Sequence, residues 1–372
     1  MKLYKLDDIM VLGRRYRNAK RSYLLINPLQ AKHLPVSPNA ALDLMQTVGN
    51  HLAENCPDVR CIVGFAETAT AISSVAAMCF PDDVLYLQTT REFPQGRPET
   101  LEFLEEHSHA AEQQIDIHRL KDVSSGAMLL VDDEISTGKT MRNIIQVLRD
   151  SNPQFMSFYV GSVLNRMDQA NQKAFAEAGI NCVPLVWAGE GDYEERAAQF
   201  AVSAPESVDA PLCSDYRKID ADVSFWEVRH GLSCGLLRRL WQDFSERMAH
   251  DLADDLPDGG HILVLGTEEC MLPALLLGAQ LEDSGRFAAV RSHATTRSPI
   301  GVLDASDYPI HRGYQIPSFY ASDRATYIYN PAAYDKIIVV TDSRNPKQCD
   351  CAISALMRVF SVSPENIILI RG

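Results

Sequence analysis

Short apolar runs recur along the first half of the chain, each closed by a small polar loop and followed by a helical pattern. Cys61-Ile62-Val63-Gly64-Phe65 reads as a buried strand, passing through Ala66-Glu67-Thr68-Ala69-Thr70 into an apolar helix over 71–80. Residues 83–88 read as a second strand, ending in Thr89-Thr90-Arg91. A third apolar run, 128–131, ends in Asp132-Asp133 and leads through Ser136-Thr137-Gly138-Lys139-Thr140 into the helical pattern MRNIIQVLRD. A strand over 155–164, a polar helix over 169–179 and a strand near 183–187 follow. Strands alternating with helices predict a parallel α/β sheet flanked by helices, whose ligands sit beyond the strands' carboxyl ends. All three polar loops fall at that edge.

Near Ser214 the texture changes, and we divide the chain into domains 1–213 and 214–372. A helical stretch over 231–252 leads into a strand over 261–266, which ends in Thr267-Glu268-Glu269-Cys270. After an apolar helix, a strand over 288–292 ends in Thr295-Thr296-Arg297, and another over 336–340 ends in Thr341-Asp342-Ser343. Gly64 and Glu67 are echoed by Gly266, Glu268 and Glu269; Thr89-Thr90-Arg91 is echoed by Thr295-Thr296-Arg297. The second domain therefore reads as a degenerate copy of the first. Its phosphate-type loop is lost, because Pro346 in Ser343-Arg344-Asn345-Pro346 has no N–H. The copy would be refuted by a different strand order in the two sheets.

Composition narrows the classes. A chain of 372 residues exceeds one ordinary core, which agrees with two domains. A net charge of −14 argues against general nucleic-acid binding, so any phosphate site has to be local. The nine cysteines lack the paired C-x-x-C spacing of a zinc site, and the Cys349-x-Cys351 pair reads as structural. MKLYKLDDIM has no continuous apolar core, so no signal peptide is expected; the apolar stretch 271–281 is too short to span a bilayer. We expect a cytoplasmic protein without a membrane segment.

The acidic strand end carries the most chemistry. Backbone N–H groups and hydroxyls at a helix start receive a phosphate, since those donors lack intrahelical partners and the helix dipole favours an anion. Carboxylates only accept hydrogen bonds and suit the vicinal hydroxyls of a ribose. The nucleotide P-loop G-x-x-x-x-G-K-[ST] would need glycine at 133, where Asp133 stands. A plain alternative is an acidic turn with Ser136 or Thr137 capping the helix.

The order apolar strand, Asp132-Asp133, three residues, then Thr137-Gly138-Lys139-Thr140 resembles the phosphoribosyl-pyrophosphate (PRPP) loop of type I phosphoribosyltransferases. More narrowly, TTRE, EEHSHA, DDEISTGKT, the stretch Asn27-Pro28-Leu29-Gln30-Ala31-Lys32-His33 and Thr296-Arg297-Ser298-Pro299 resemble the phosphoribosyltransferase-like family of tellurite-resistance and stress gene clusters. That family carries a carboxyl-terminal domain named for the Thr-Arg-Ser-Pro motif. The resemblance implies that Asp132 and Asp133 bind ribose hydroxyls, Ser136, Thr137, Gly138, Lys139 and Thr140 the 5′-phosphate, and Ala66, Glu67, Thr68 and Ala69 pyrophosphate. It implies catalytic roles for Arg91, at pyrophosphate, and for Glu106 and His107 in the polar insertion 89–114, which matches the family's closing loop.

Mg²⁺ would be held through PRPP, without dedicated protein ligands. The expected partners are PRPP, a small base-like acceptor, enzymes of the same gene cluster and a second copy in a homodimer. The activity implied is phosphoribosyl transfer; a PRPP-sensing regulatory or scaffold protein on the same fold is the alternative. Thr296, Arg297 and Ser298 make a candidate anion site in the second domain, beside the tyrosine-rich insert 306–329, which reads as packing surface. Lys32, His33 and Trp187 are candidates for choosing the acceptor.

Overall fold

The computed structural model describes residues 2–18, 21–92, 99–103 and 113–372. The chain opens with α1 (Leu6–Ile9), β1 (Val11–Arg14), β2 (Tyr23–Ile26), α2 (Pro38–Asn55), β3 (Val59–Gly64), α3 (Thr70–Ala77) and β4 (Leu85–Gln88). It continues through β5 (Thr100–Phe103), β6 (Gln113–Asp116), β7 (Gly126–Ile135), α4 (Lys139–Ser151), β8 (Phe155–Asn165), α5 (Gln169–Glu177) and β9 (Ile180–Trp187). Next come α6 (Tyr193–Ala198), β10 (Glu206–Ser207), β11 (Arg217–Asp220), α7 (Glu227–His230), β12 (Leu232–Ser233) and α8 (Cys234–Asp251). The last part holds β13 (His261–Gly266), α9 (Leu272–Asp283), β14 (Ala289–Ala294), β15 (Gly313–Pro317), β16 (Ala325–Tyr329), β17 (Lys336–Thr341), α10 (Pro346–Phe360) and β18 (Ile367–Arg371).

These elements form two compact units that are not consecutive in the chain. Unit 1 comprises Met1–Leu6, Asp43–Gly191 and Trp226–Leu240; unit 2 comprises Asp7–Leu42, Asp192–Phe225 and Trp241–Gly372. The chain passes from one to the other within α2 and within α8.

Unit 1 is built on a six-stranded sheet in the order β12-β4-β3-β7-β8-β9. All neighbours are parallel except β12, which runs antiparallel to β4. Its centre is β7, where Ala127 to Val131 are fully buried, as a parallel strand covered on both faces requires. On one face α4 brings Met141, Ile144, Ile145 and Leu148, the i, i+3, i+4, i+7 stripe of an amphipathic helix. Each such side chain contributes about 1.5–3 kcal/mol by leaving water.

Unit 2 is built on a five-stranded, wholly parallel sheet in the order β11-β18-β17-β13-β14. Leu263, Leu265, Val339 and Leu369 of its strands pack with Ile353, Leu356 and Phe360 of α10. Taken from β4 and from β14, both sheets run second, first, third, fourth in chain order. Over these four strands the order is the same in both; beyond them the sheets differ, β8 being followed by β9 and β18 by β11.

Two differences from the sequence reading have tertiary causes. The strand expected over 128–131 extends to Ile135 because β8 supplies partners: Asp132 pairs with Ser162, Glu134 with Leu164 and Ile135 with Asn165. Both polar insertions contain an antiparallel hairpin, β5–β6 in unit 1 and β15–β16 in unit 2. Among the described residues no helix is long and apolar enough to cross a membrane.

Candidate functional site

At the carboxyl edge of the unit 1 sheet, the ends of β3, β4 and β7 carry the three loops singled out by sequence. The loop after β3 is fixed by its neighbours. Ala66 N–H donates to Thr89 Oγ1 (2.8 Å), Thr89 Oγ1 donates to Gln113 Oε1 (2.5 Å), and Gln113 Nε2 returns to the Ala66 carbonyl (2.8 Å). Both backbone polar groups of Ala66 are thereby held, by Thr89 just past β4 and by Gln113 of β6. The Ala66–Glu67 peptide is cis, and Glu67 is buried. Thr68 is half-buried, and Ala69 is fully buried where α3 begins.

After β4, Thr90 exchanges both backbone hydrogen bonds with Gln114 (2.9 Å each), and its hydroxyl accepts the Glu92 N–H (3.0 Å). Arg91 lies between them, half-buried. Glu106 and His107 lie outside the described residues.

The third loop follows β7. Asp132, Asp133 and Glu134 are half-buried and all within the strand, so Asp132 and Glu134 share one face and Asp133 takes the other. Glu134 is committed to Arg166, with Oε1 2.5 Å from Nε and both side chains little exposed. Asp133 N–H donates to Asp132 Oδ1 (2.9 Å).

Gly138, not Ser136 or Thr137, occupies the cap position of α4, at φ 71° and ψ 5°, and having no side chain makes no cap hydrogen bond there. Only glycine fits there: the φ is left-handed, and an added Cβ would lie 2.4 Å from the Phe175 ring. The first N–H groups of α4 have no intrahelical partners, and the loop before the helix supplies one of them with a hydroxyl. Thr137 Oγ1 accepts the Lys139 N–H (3.3 Å); Ser136 and Thr140 are half-buried and Lys139 is exposed.

Sequence reading missed Gln113 and Arg166. Nothing in a polar stretch marks one glutamine as the clamp of a loop 47 residues upstream, and the Arg166 pairing depends on β8 lying beside β7.

In unit 2, Thr296 is buried and exchanges backbone hydrogen bonds with Tyr327 (3.0 and 2.7 Å), while its hydroxyl accepts the Ser298 N–H (3.2 Å). Arg297 Nε donates to Glu268 Oε2 (2.6 Å). Lys32, fully buried, belongs to this unit and donates to the carbonyls of Glu268 (2.6 Å) and Thr295 (3.1 Å). His33 is buried in the same unit, whereas Trp187, in unit 1, is about half exposed, at 48%. His293, also in unit 2, is buried and held neutral: burial pushes its pKa down to about 3, with the nearby Lys32 charge adding to the effect.

Comparison with known proteins adds two domain assignments. The family model described as phosphoribosyl transferase matches residues 9–185, and that of the TRSP domain found C-terminal to it matches residues 226–357. No curated protein matches the chain. Among solved structures, an orotate phosphoribosyltransferase from Aeropyrum pernix is 21% identical over 40% of this chain and 71% of its own, with a TM-score of 0.27. An adenine phosphoribosyl transferase from Trypanosoma brucei, in complex with AMP, pyrophosphate and ribose-5-phosphate, is 13% identical over 49% and 77%, with a TM-score of 0.36. An APRTase from Giardia lamblia, complexed with 9-deazaadenine, is 12% identical over 49% and 94%, with a TM-score of 0.35.

Proposed function

Because the chain has the two-domain architecture of a phosphoribosyl transferase domain followed by a TRSP domain, we propose that unit 1 transfers the phosphoribosyl group of PRPP to a base-like acceptor. The observation that carries this reading is the start of α4 at left-handed Gly138, just past the end of β7 that carries Asp132 and Asp133. In this reading the first turn of α4, with Ser136 and Thr137, receives the 5′-phosphate, and Asp132 and Asp133 accept hydrogen bonds from the ribose hydroxyls. The clamped loop 66–69 and Arg91 face the pyrophosphate, whose departure leaves positive charge on the ribose and negative charge on the leaving oxygens. Glu106 and His107 remain the candidates for proton transfer or closure over the reacting carbon, where water has to be excluded.

In this reading magnesium enters with PRPP, through the substrate phosphates and its own waters, with no dedicated ligands from the chain, Asp132 and Asp133 being taken up by the ribose hydroxyls. When bound with PRPP it would neutralise charge on the departing pyrophosphate.

The test is isotope exchange between pyrophosphate and PRPP with Mg²⁺ and a panel of free bases, beside PRPP binding followed by thermal stabilisation. Exchange with one base, lost in Asp133→Ala, is the expected result. Binding without exchange for any base would return the PRPP-sensing alternative, and no binding would end both readings.

A further inference from the structure

Several hydrogen bonds of the unit 1 strand edge recur at matching positions in unit 2. Thr89 N–H donates to the Gly64 carbonyl (2.9 Å), as Thr295 N–H does to Gly266 (3.0 Å). Ala66 N–H reaches Thr89 Oγ1 (2.8 Å), and Glu268 N–H reaches Thr295 Oγ1 (3.0 Å). Thr90 pairs in both directions with Gln114, and Thr296 with Tyr327. The hydroxyl of Thr90 takes the N–H two residues on, as does that of Thr296. Gly64 is level with Val131 on β7, and Gly266 with Val340 on β17. This register makes Glu268 the counterpart of Ala66, Arg297 of Arg91 and Asp342 of Asp133.

With the framework matched, the side chains differ in one consistent direction. Where unit 1 has the methyl of Ala66, unit 2 has the Glu268 carboxylate, at 0% exposure. It lies 2.6 Å from Arg297 Nε, 3.2 Å from a terminal nitrogen of Arg324 and 2.6 Å from Ser318 Oγ. A fully buried carboxylate demands such partners. Glu268 also holds a left-handed φ of 46°, which favours glycine, and Lys32 fixes its carbonyl. Asp342, level with Asp133, accepts a hydrogen bond from the Tyr320 hydroxyl (2.5 Å). At the third position, the start of α10, the Asn345 side chain accepts the Gln348 N–H and Pro346 supplies no N–H, whereas the cap position of α4 is Gly138, which has no side chain.

We propose that unit 2 is a self-liganded copy of the unit 1 site: the Glu268 carboxylate stands where unit 1 takes a pyrophosphate-class anion, and the Tyr320 hydroxyl where it takes a sugar hydroxyl. The identity of that anion, though not the filling of the site, rests on the PRPP reading of unit 1. Unit 2 therefore takes no anion from solution between Arg297 and Arg324 while Glu268 is in place. Removing that carboxylate leaves two guanidiniums facing an emptied position, a site for a diphosphate group.

The test is calorimetric titration of inorganic pyrophosphate into the full chain carrying Arg91→Ala, which silences unit 1, and into the same chain carrying Glu268→Gly as well. Glycine suits the left-handed backbone there, and Glu268→Ala serves as a second variant should the first not fold. Arg91→Ala alone is expected to show no site, and the added Glu268 substitution to create one, with affinity at least about tenfold above that background. Adding Arg297→Ala should abolish the new site. A cooperatively melting Glu268 variant that gains no site overturns the inference, as does an Arg297-dependent site in a chain that retains Glu268. Neither result depends on whether unit 1 transfers a phosphoribosyl group, because the gain is read with unit 1 silenced.

Discussion

Ala66 lies two residues past β3 in unit 1 and Glu268 two residues past β13 in unit 2, each with its N–H on the hydroxyl of a threonine just past the neighbouring strand. From that shared peptide the two regions diverge. In unit 1 the side chain is a methyl group, the acids at the end of β7 are Asp132 and Asp133, and the following helix has a glycine at its cap position. In unit 2 the side chain is a carboxylate gripped by two arginines, Asp342 is engaged by a tyrosine, and an asparagine caps the helix. The lesson is that a strand-edge framework does not by itself make a binding site. What stands at a few positions decides whether its polar groups are met by the protein itself or, in the proposed reading of unit 1, by a ligand.

The comparison breaks first at the buried charge. Arg297→Ala removes one of the groups that meet the buried Glu268 carboxylate and leaves Arg324 and Ser318 in place, so the urea-unfolding free energy is expected to fall by about 1.5–3 kcal/mol, the worth of a charge-assisted hydrogen bond. An unchanged unfolding free energy would show that Arg297 does not hold that carboxylate. The acids offer a second contrast, in binding. Asp133→Ala is expected to weaken PRPP binding by about 1.5–3 kcal/mol, the worth of a charge-assisted contact, roughly ten- to hundredfold. Asp342→Ala should not change PRPP affinity; calorimetry on the two variants checks both statements.

A third contrast is a pH dependence belonging to unit 2. His293 has its pKa depressed by burial to about 3 from an ordinary 6.5. Below pH 6.5 the unfolded chain takes up a proton that the folded one refuses, so stability is lost as pH falls from about 6.5 toward 3. Between pH 7 and pH 5 that amounts to about 2 kcal/mol. His293→Gln should flatten this part of the profile, and an unchanged slope in urea melts would exclude the mechanism.

The smallest expected effect is at Gly138. Gly138→Ala forces a side chain into left-handed backbone at about 1–2 kcal/mol, with further cost from the Phe175 contact. PRPP affinity should fall along with melting temperature. Loss of stability with full affinity would mean that the start of α4 is not the phosphate position.

Much of the site was legible because it depends on local chemistry. The loops after β3, β4 and β7 follow from apolar runs closing in small or acidic residues, and the glycine before α4 is readable as a break between strand and helix. Element ends shifted by a few residues: the strand expected over 61–65 spans Val59–Gly64, and the one expected over 288–292 is Ala289–Ala294. Glu134 was invisible as a committed acid because its arginine comes from the next strand's end. Thr296, Arg297 and Ser298 looked open to an anion because the carboxylate that meets Arg297 lies twenty-nine positions upstream.

The sequence by itself determined what is periodic or adjacent: the alternation of strands and helices, the polar loops at their ends, and the repeat of Gly, Thr-Thr-Arg and acid down the chain. Those patterns record local backbone preference and burial, which a single strand or helix expresses without its neighbours. Tertiary structure alone decided the rest. It set the interleaving of segments between two units and the extension of β7 through its acids by pairing with β8. It also assigned Lys32 and Glu268 to one buried cluster. These outcomes depend on hydrogen bonds and charge pairs between residues far apart in the chain, formed only once the sheets have brought them together.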